Sequence, residues 1–153
     1  MSRKPLKITF EGFEDLIEEI EKAGGKVETA AIKAVNEGVD IVYNELHAQC
    51  AKTNVPASIT QEIKKTPAQM ENGVCSGAVG WELGKYDPAN PSAGYKAIFL
   101  NYGTPRRKTR DGENRGQILR AKRFIGMTKT QSRKKVKAAQ EAALNEILKG
   151  LKK

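Results

Sequence analysis

The stretch KVETAAIKAVNEGVDIVYNELHAQCA, residues 26–51, repeats apolar side chains every three or four positions and contains no proline. This spacing predicts one helix of roughly 25 residues, about 37 Å long at a rise of about 1.5 Å per residue. A glycine inside a helix costs about 1 kcal/mol relative to alanine. Gly38 therefore indicates a place where this helix packs closely against a neighbour or bends.

A short strand over residues 6–10 and a short amphipathic helix over residues 12–23 are predicted ahead of the long helix. Gly24-Gly25 ends the short helix, because glycine readily adopts the left-handed conformation of a helix C-cap. One side of this helix is apolar, with Phe13, Leu16, Ile17 and Ile20. The opposite side is an acidic face formed by Glu14, Glu18 and Glu21, with Glu19 beside them.

The middle of the chain predicts a small sheet followed by a loop. Residues 59–66 and 73–81 are typical of extended segments joined by a polar turn. Residues 83–94 contain two prolines and predict a loop. Residues 95–102 bring aromatic and aliphatic side chains back, which indicates either a strand or a short helix.

The remaining residues predict a basic loop and a last helix. Residues 105–123, PRRKTRDGENRGQILRAKR, predict an extended loop or hairpin with a turn at Asp111-Gly112. A C-terminal helix is predicted over residues 130–151, with Thr130 as its N-cap and Gly150 as a stop. The basic residues of the loop are Arg106, Arg107, Lys108, Arg110, Arg115, Arg120, Lys122 and Arg123.

Together these elements predict an α+β fold in one domain over residues 1–153, with helices packed on a small, mainly antiparallel sheet. A chain of this length buries a core without needing disulfides or metals. The sequence contains neither a run of 18 apolar residues nor a signal-peptide pattern, so we expect a cytoplasmic protein with no membrane partner. Cys50 and Cys75 are expected to be core thiols.

Charge is distributed very unevenly along the chain. Residues 1–50 carry six Lys or Arg against ten Asp or Glu, a balance of −4, whereas residues 106–153 carry sixteen against four, a balance of +12. Such asymmetry indicates either a polyanion-binding C-terminal region or head-to-tail association of acidic and basic faces. The basic loop lacks interleaved aromatic residues, and no known DNA- or RNA-binding motif accompanies it, so any nucleic-acid contact is expected to be non-specific.

No residue pattern predicts catalysis, a cofactor or a metal. His47, Cys50 and Cys75 are too few for the four ligands of a zinc site. The stretch GAVGWELGKY lacks the spacing and the Ser or Thr of a phosphate-binding loop. A metal-dependent nuclease would need clustered acidic residues in a cleft, whereas the carboxylates of residues 14–19 indicate a solvated helix face. We therefore predict a protein that is not an enzyme.

Three stretches of the sequence resemble the head-to-tail joining, or tail-completion, proteins of long-tailed bacteriophages. Residues 11–16, EGFEDL, are similar to the Gly-Leu-x-x-Leu helix that opens this family. Residues 95–104, YKAIFLNYGT, resemble its aromatic-rich strand ending in Phe-Gly-Thr, with Asn101 where the family usually has glutamate. Residues 123–125, RFI, stand where the family has an apolar pair before its last helix.

The resemblance implies a structural virion protein rather than an enzyme. It implies a ring of identical subunits at the neck, bridging the head connector to the tail tube, after a period in the bacterial host cytoplasm. It also gives the charge asymmetry a concrete interpretation, in which the acidic face of one subunit meets the basic loop or last helix of the next. The alternative function is a non-specific nucleic-acid-binding module that uses the basic C-terminal region.

Overall fold

The computed structural model describes residues 6–9, 12–103, 110–112 and 120–152. Five helices and a small antiparallel sheet confirm the predicted α+β fold within these residues. The elements in chain order are β1 (Leu6–Thr9), α1 (Glu14–Lys22), α2 (Val27–Lys52), α3 (Ala57–Thr60), β2 (Lys64–Glu71), β3 (Val74–Gly80), α4 (Ala93–Tyr102) and α5 (Phe124–Leu151).

The long helix α2 is the centre of the fold, as its apolar repeat predicts. It packs against the sheet on one side and along α5 on another. Val35, Leu46 and Cys50 are fully buried. Gly38 marks close packing, because a Cβ atom there would lie 3.0 Å from side-chain carbons of both Ile8 in β1 and Val136 in α5. The missing side chain lets β1 and α5 converge on α2.

The sheet has the strand order β1-β3-β2, with both pairs antiparallel. Asn72 and Gly73 join β2 to β3 with φ angles of 52° and 77°, which is the backbone that a tight two-residue hairpin turn requires. Gly77 in β3 faces α2, and a Cβ atom at this position would lie 2.6 Å from Val39. The sheet can therefore approach the long helix closely. The polar turn predicted between residues 66 and 73 is shorter than expected, because residues 67–71 continue β2 and only Asn72 and Gly73 form the turn.

The predicted extended segment over residues 59–66 is wrong in its first half. Residues 57–60 form the single helical turn α3, which follows Pro56, and the strand begins only at Lys64. The turn buries Ile59 and presents its carbonyl oxygen to the Trp81 indole N–H at 2.8 Å. A tertiary hydrogen bond to a buried tryptophan thus favours the turn over an extended backbone.

The C-terminal helix begins six residues earlier than the predicted N-cap Thr130. Phe124 and Ile125 are buried in the main core, and this burial draws the first turns of α5 into the fold. Thr130 lies inside the helix, where its hydroxyl donates to the Gly126 carbonyl at 3.1 Å. The predicted end of the helix at residue 151 agrees with the structure, in which α5 passes through Gly150 and ends at Leu151.

The helix α1 matches its prediction, and Gly24 has the positive φ of 86° expected at its end. Its buried Ile20 belongs to a second apolar cluster that α1 forms with the first turns of α2 and the last turns of α5. Residues 93–102 form a helix, which decides between the two predictions for this segment and corrects the strand that the resemblance implies.

Most of the predicted basic loop, residues 105–123, lies outside the described residues. Within it, the chain turns at Arg110 and Asp111, and Gly112 has a φ of 85°. None of the described helices has an apolar stretch of the length that crossing a membrane would require.

Candidate interaction surface

The helix α4 buries small side chains. Its inner face consists of Gly94, Ala97 and Asn101, all buried. A Cβ atom at residue 94 would lie 2.7 Å from the Leu83 side chain and 3.0 Å from the Glu82 carbonyl oxygen. The helix therefore sits so close to the preceding loop that only glycine fits at residue 94 without movement of its neighbours.

The large aromatic residues of α4 point the other way. Tyr95, Phe99 and Tyr102 follow one another at intervals of four and three residues, so they share a helix face. Tyr86, from the loop before α4, joins them with ring centroids 4.9 Å from Tyr95 and 6.5 Å from Phe99, both edge to face. We call these four residues the aromatic surface.

The aromatic surface is open to solvent. Tyr102 is 70% exposed, Tyr86 47% and Phe99 39%, while Tyr95 is half-buried. Exposed contiguous apolar patches mark interaction sites in soluble proteins, and aromatic residues are enriched in protein interfaces. Tyr86, Tyr95 and Phe99 are held by their ring contacts, which reduces the side-chain entropy that they lose on binding.

The C-terminal end of α4 fixes the start of α5. Asn101 is buried, and its side-chain oxygen accepts a hydrogen bond of 2.9 Å from the backbone N–H of Ile125. This satisfies one of the unpaired N–H groups at a helix N-terminus.

The two described ends of the basic loop meet at α4. Gly103 directly follows the helix, and at the other end the backbone N–H groups of Lys122 and Arg123 donate to the carbonyl oxygens of Leu100 and Asn101, at 2.9 and 3.1 Å. The chain thus leaves and re-enters the described fold at one place, next to the aromatic surface. The residues at which the basic loop begins and ends therefore lie next to the aromatic surface.

The predicted basic residues have different surroundings where they are described. Arg110, Arg120 and Arg123 are exposed. Lys122 is half-buried and donates a hydrogen bond of 2.6 Å to the carbonyl oxygen of Thr53, the C-cap of α2, where the helix dipole favours a cation. Lys122 therefore stabilises the fold. The predicted site residues outside the described part of the chain are Arg106, Arg107, Lys108 and Arg115.

The predicted acidic face is present on α1. Glu14, Glu18 and Glu21 are exposed. Glu18 pairs with Lys22 at 2.7 Å along the helix, and Glu19 approaches Lys152 of α5 at 3.8 Å. These exposed pairs are weak. The helix α1 lies along the C-terminal half of α5, where Glu14 shares a pocket with Lys137, whereas the basic loop enters α5 at its N-terminal end.

The other candidate residues are structural. Burial raises the pKa of the Cys50 thiol to about 11 and also raises the pKa of Cys75, so neither favours the reactive thiolate. His47 packs edge to face against Tyr43, with ring centroids 4.6 Å apart. In the part of the chain that the structure describes, no three His, Cys, Asp or Glu residues converge in an arrangement able to hold a metal ion.

In comparisons with known proteins, no family model matches this chain, and no curated protein or solved structure matches it significantly.

Sequence reasoning missed the aromatic surface, although a signal for it was present. Once residues 95–102 are placed on a helix, Tyr95, Phe99 and Tyr102 fall on one side and Ala97 and Asn101 on the other. An apolar face is ordinarily assigned to the core, so this pattern alone predicts buried aromatics. Only the close approach at residue 94 shows that the small residues face inward.

Proposed function

We propose that this chain is a structural assembly protein that joins the head connector of a tailed bacteriophage to its tail tube, acting as a ring of identical subunits. The observation that carries the proposal is the aromatic surface. The stretch of sequence that resembles the joining family, residues 95–104, forms most of α4 and carries three of the four aromatic residues, of which Phe99 and Tyr102 are exposed. A segment with this composition and exposure is suited to contact with another protein.

The distribution of charge supports association between copies of the chain. The acidic face of α1 and the basic N-terminal end of α5 are two different surfaces of the molecule. A contact between two different surfaces repeats from subunit to subunit and closes into a ring when the rotation permits. Exposed ion pairs contribute about 0 to 1 kcal/mol each, so they would set the register of neighbours more than the affinity.

The test is a substitution in the phage or prophage genome that encodes the chain. Phe99→Ser combined with Tyr102→Ser removes most of the exposed aromatic area. Val74→Ser, which changes a 52% exposed apolar residue on the β2-β3 hairpin, is the matched control. We expect DNA-filled heads and separate tails in electron micrographs of the double variant, and normal particles for the control.

Normal yields of joined particles from the double variant would contradict a role for the aromatic surface. Normal particles after deletion of the whole gene would contradict the joining function itself. Immunogold labelling of the chain at the neck of intact particles would support the proposed site, and labelling elsewhere on the virion would exclude it.

A second candidate function is non-specific binding of nucleic acid. The observation that favours it is that the basic loop begins and ends next to the aromatic surface. Proteins that bind single strands combine cationic side chains with aromatic rings on which nucleobases stack. A titration of labelled duplex and single-stranded DNA at about 50 and about 200 mM salt separates the two functions. Micromolar or tighter binding at the higher salt would favour nucleic-acid binding, and binding that disappears would favour assembly.

A further inference from the structure

A groove of about 910 Å³ runs between β1 and α5. Both elements pack on α2, and between them they leave an apolar floor. The floor consists of Leu6 and Ile8 from β1, Val42 from α2 and Val136 from α5. Along α5 the groove extends from Lys129 to Gln140, which is about 16 Å at the helical rise and corresponds to about five residues of extended chain.

One wall of the groove is the edge of a sheet. The strand β1 is the first in the order β1-β3-β2 and pairs only with β3 among the described strands. Its other edge carries the backbone N–H and C=O groups that an added strand would bond. Leu6 and Ile8 point to the core while Lys7 is exposed, and all three line the groove. The groove therefore follows the edge of β1 that no described strand occupies.

The rim of the groove is basic. Lys7 contributes from β1, and Lys129, Arg133 and Lys137 contribute from α5. All four are exposed, and none of them forms an ion pair with a carboxylate of the described residues. Lys137 also lines a smaller neighbouring pocket together with Glu14 and Glu141. The uncompensated positive charge is therefore concentrated at the end marked by Lys129 and Arg133.

The chemistry of the groove fits a polypeptide better than a nucleic acid. The described lining of the groove is aliphatic, polar and basic, and these residues include no aromatic ring on which a base could stack. A phosphate backbone would gain nothing from the buried carbons of Ile8 and Val42. An extended peptide has alternate side chains on its two sides and can place apolar ones on such a floor and acidic ones toward the rim.

We infer that this groove is a docking site for an extended segment of a partner protein in which acidic and apolar residues alternate, and that the segment adds a strand to β1. Main-chain hydrogen bonds to the open edge supply affinity, and the floor and rim supply specificity, as in other cases of strand addition. The groove shares no residue with the aromatic surface. The inference is therefore independent of the joining function, and the two can fail separately.

The test begins with a display library of random eight-residue peptides selected on the full chain. We expect enrichment of sequences that alternate Asp or Glu with Val, Ile or Leu. Affinity of the selected peptides is then measured by fluorescence anisotropy on the wild type and on Lys129→Glu combined with Arg133→Glu. We expect the double variant to bind at least about tenfold more weakly, because like charges then face each other across the contact.

A matched charge control is available on the same helix. Lys134→Glu combined with Lys149→Glu makes the same change in net charge at two exposed residues of α5 that do not line the groove. We expect this variant to retain peptide affinity within about twofold, because neither side chain lines the groove. Thermal unfolding of both double variants checks that each remains folded.

Strand addition has its own readout. Selected peptides are resynthesised with N-methyl groups on alternate residues, in the two complementary patterns. Only one edge of a bound strand faces β1, so one pattern should abolish binding and the other should leave it unchanged. In hydrogen exchange, the amides of residues 6–9 should exchange more slowly when peptide is bound.

Three results would overturn the inference. The first is a selection that yields no acidic peptide whose affinity falls when Lys129 and Arg133 are replaced by glutamate. The second is equal binding of both N-methylated patterns, which would exclude pairing with β1. The third is single-stranded DNA that binds at about 150 mM salt more tightly than the selected peptides and is lost in the groove variant, which would assign the groove to nucleic acid.

Discussion

The helices α1 and α4 are similar in length and opposite in what they bury. In α1, Ile20 is fully buried and the glutamates face solvent. In α4, Ala97 is fully buried and Phe99 and Tyr102 face solvent. Besides Ala97, α4 packs Ala93 and Leu100 against the main core, yet it leaves its largest apolar rings in contact with water. The apolar face of α1 is therefore covered by this chain itself, whereas the exposed rings of α4 form a surface suited to a partner.

The largest loss of stability is expected from a substitution on the buried face of α1. Ile20→Ala removes a fully buried side chain from the second apolar cluster and should lower the free energy of unfolding by about 2 to 5 kcal/mol. Urea denaturation followed by circular dichroism measures it. A loss below about 1 kcal/mol would show that α1 is not anchored as described.

The next effect tests the close approach of α4. Gly94→Ala places a methyl group within 3.0 Å of the Glu82 carbonyl oxygen and the Trp81 Cβ atom, so we expect a loss of about 1 to 3 kcal/mol. Gly126→Ala in α5 is the control, because its Cβ would meet no atom within 4 Å. There the better helix propensity of alanine should stabilise the protein by about 0.5 to 1 kcal/mol. Equal effects at both glycines would contradict the packing of α4.

A somewhat smaller effect is expected at Asn101. Asn101→Ala leaves the Ile125 N–H without its acceptor and should cost about 1 to 2 kcal/mol in urea denaturation. Asn101→Asp keeps an acceptor oxygen next to the N-terminus of α5 and should recover most of this stability. If aspartate were as destabilising as alanine, the side-chain oxygen would not be the stabilising group.

The outer face of α4 should contribute almost nothing to stability. Phe99→Ser with Tyr102→Ser should change the free energy of unfolding by no more than about 0.5 kcal/mol per substitution, since exposed residues lose few contacts. The measurement is the same urea denaturation used for Ile20→Ala. A loss comparable to that of Ile20→Ala would mean that the rings support the fold and would remove the contrast between the two helices.

The smallest expected effect is on the two cysteines. Both thiols are buried, and burial raises the pKa of Cys50 to about 11, so at pH 8 the native protein should react with a thiol reagent far more slowly than the unfolded chain. The Phe99 and Tyr102 variants should show the same slow reaction, because their changes lie on the outside of α4. Rapid modification in those variants alone would show that the outer face protects the interior.

The sequence predicted those parts of the fold that depend on local periodicity. The bounds of α1 and α2 agree with their apolar repeats to within two residues, because each helix has one continuous buried stripe. The start of α5 could not be predicted in the same way. Its cap is supplied by Asn101, more than twenty residues earlier in the chain, so no N-cap residue stands directly before Phe124.

The candidate surfaces were predicted only where they are continuous in sequence. The acidic face follows from the helical spacing of Glu14, Glu18 and Glu21. The aromatic surface requires Tyr86 and α4 to meet across a loop, and the basic groove requires β1, α2 and α5 to assemble around Gly38. Both depend on distances of closest approach between elements, a property that periodicity does not encode.

The anchoring of the basic loop at α4 has a consequence for how this chain can change. Because Gly103 and Lys122 are held at one place, the loop between them is already closed by the fold. Closing a loop twice as long costs only about 0.6 kcal/mol more, so insertions there are thermodynamically cheap. Insertions between residues 103 and 122 should therefore leave the hydrogen bonds between α4 and the start of α5 intact.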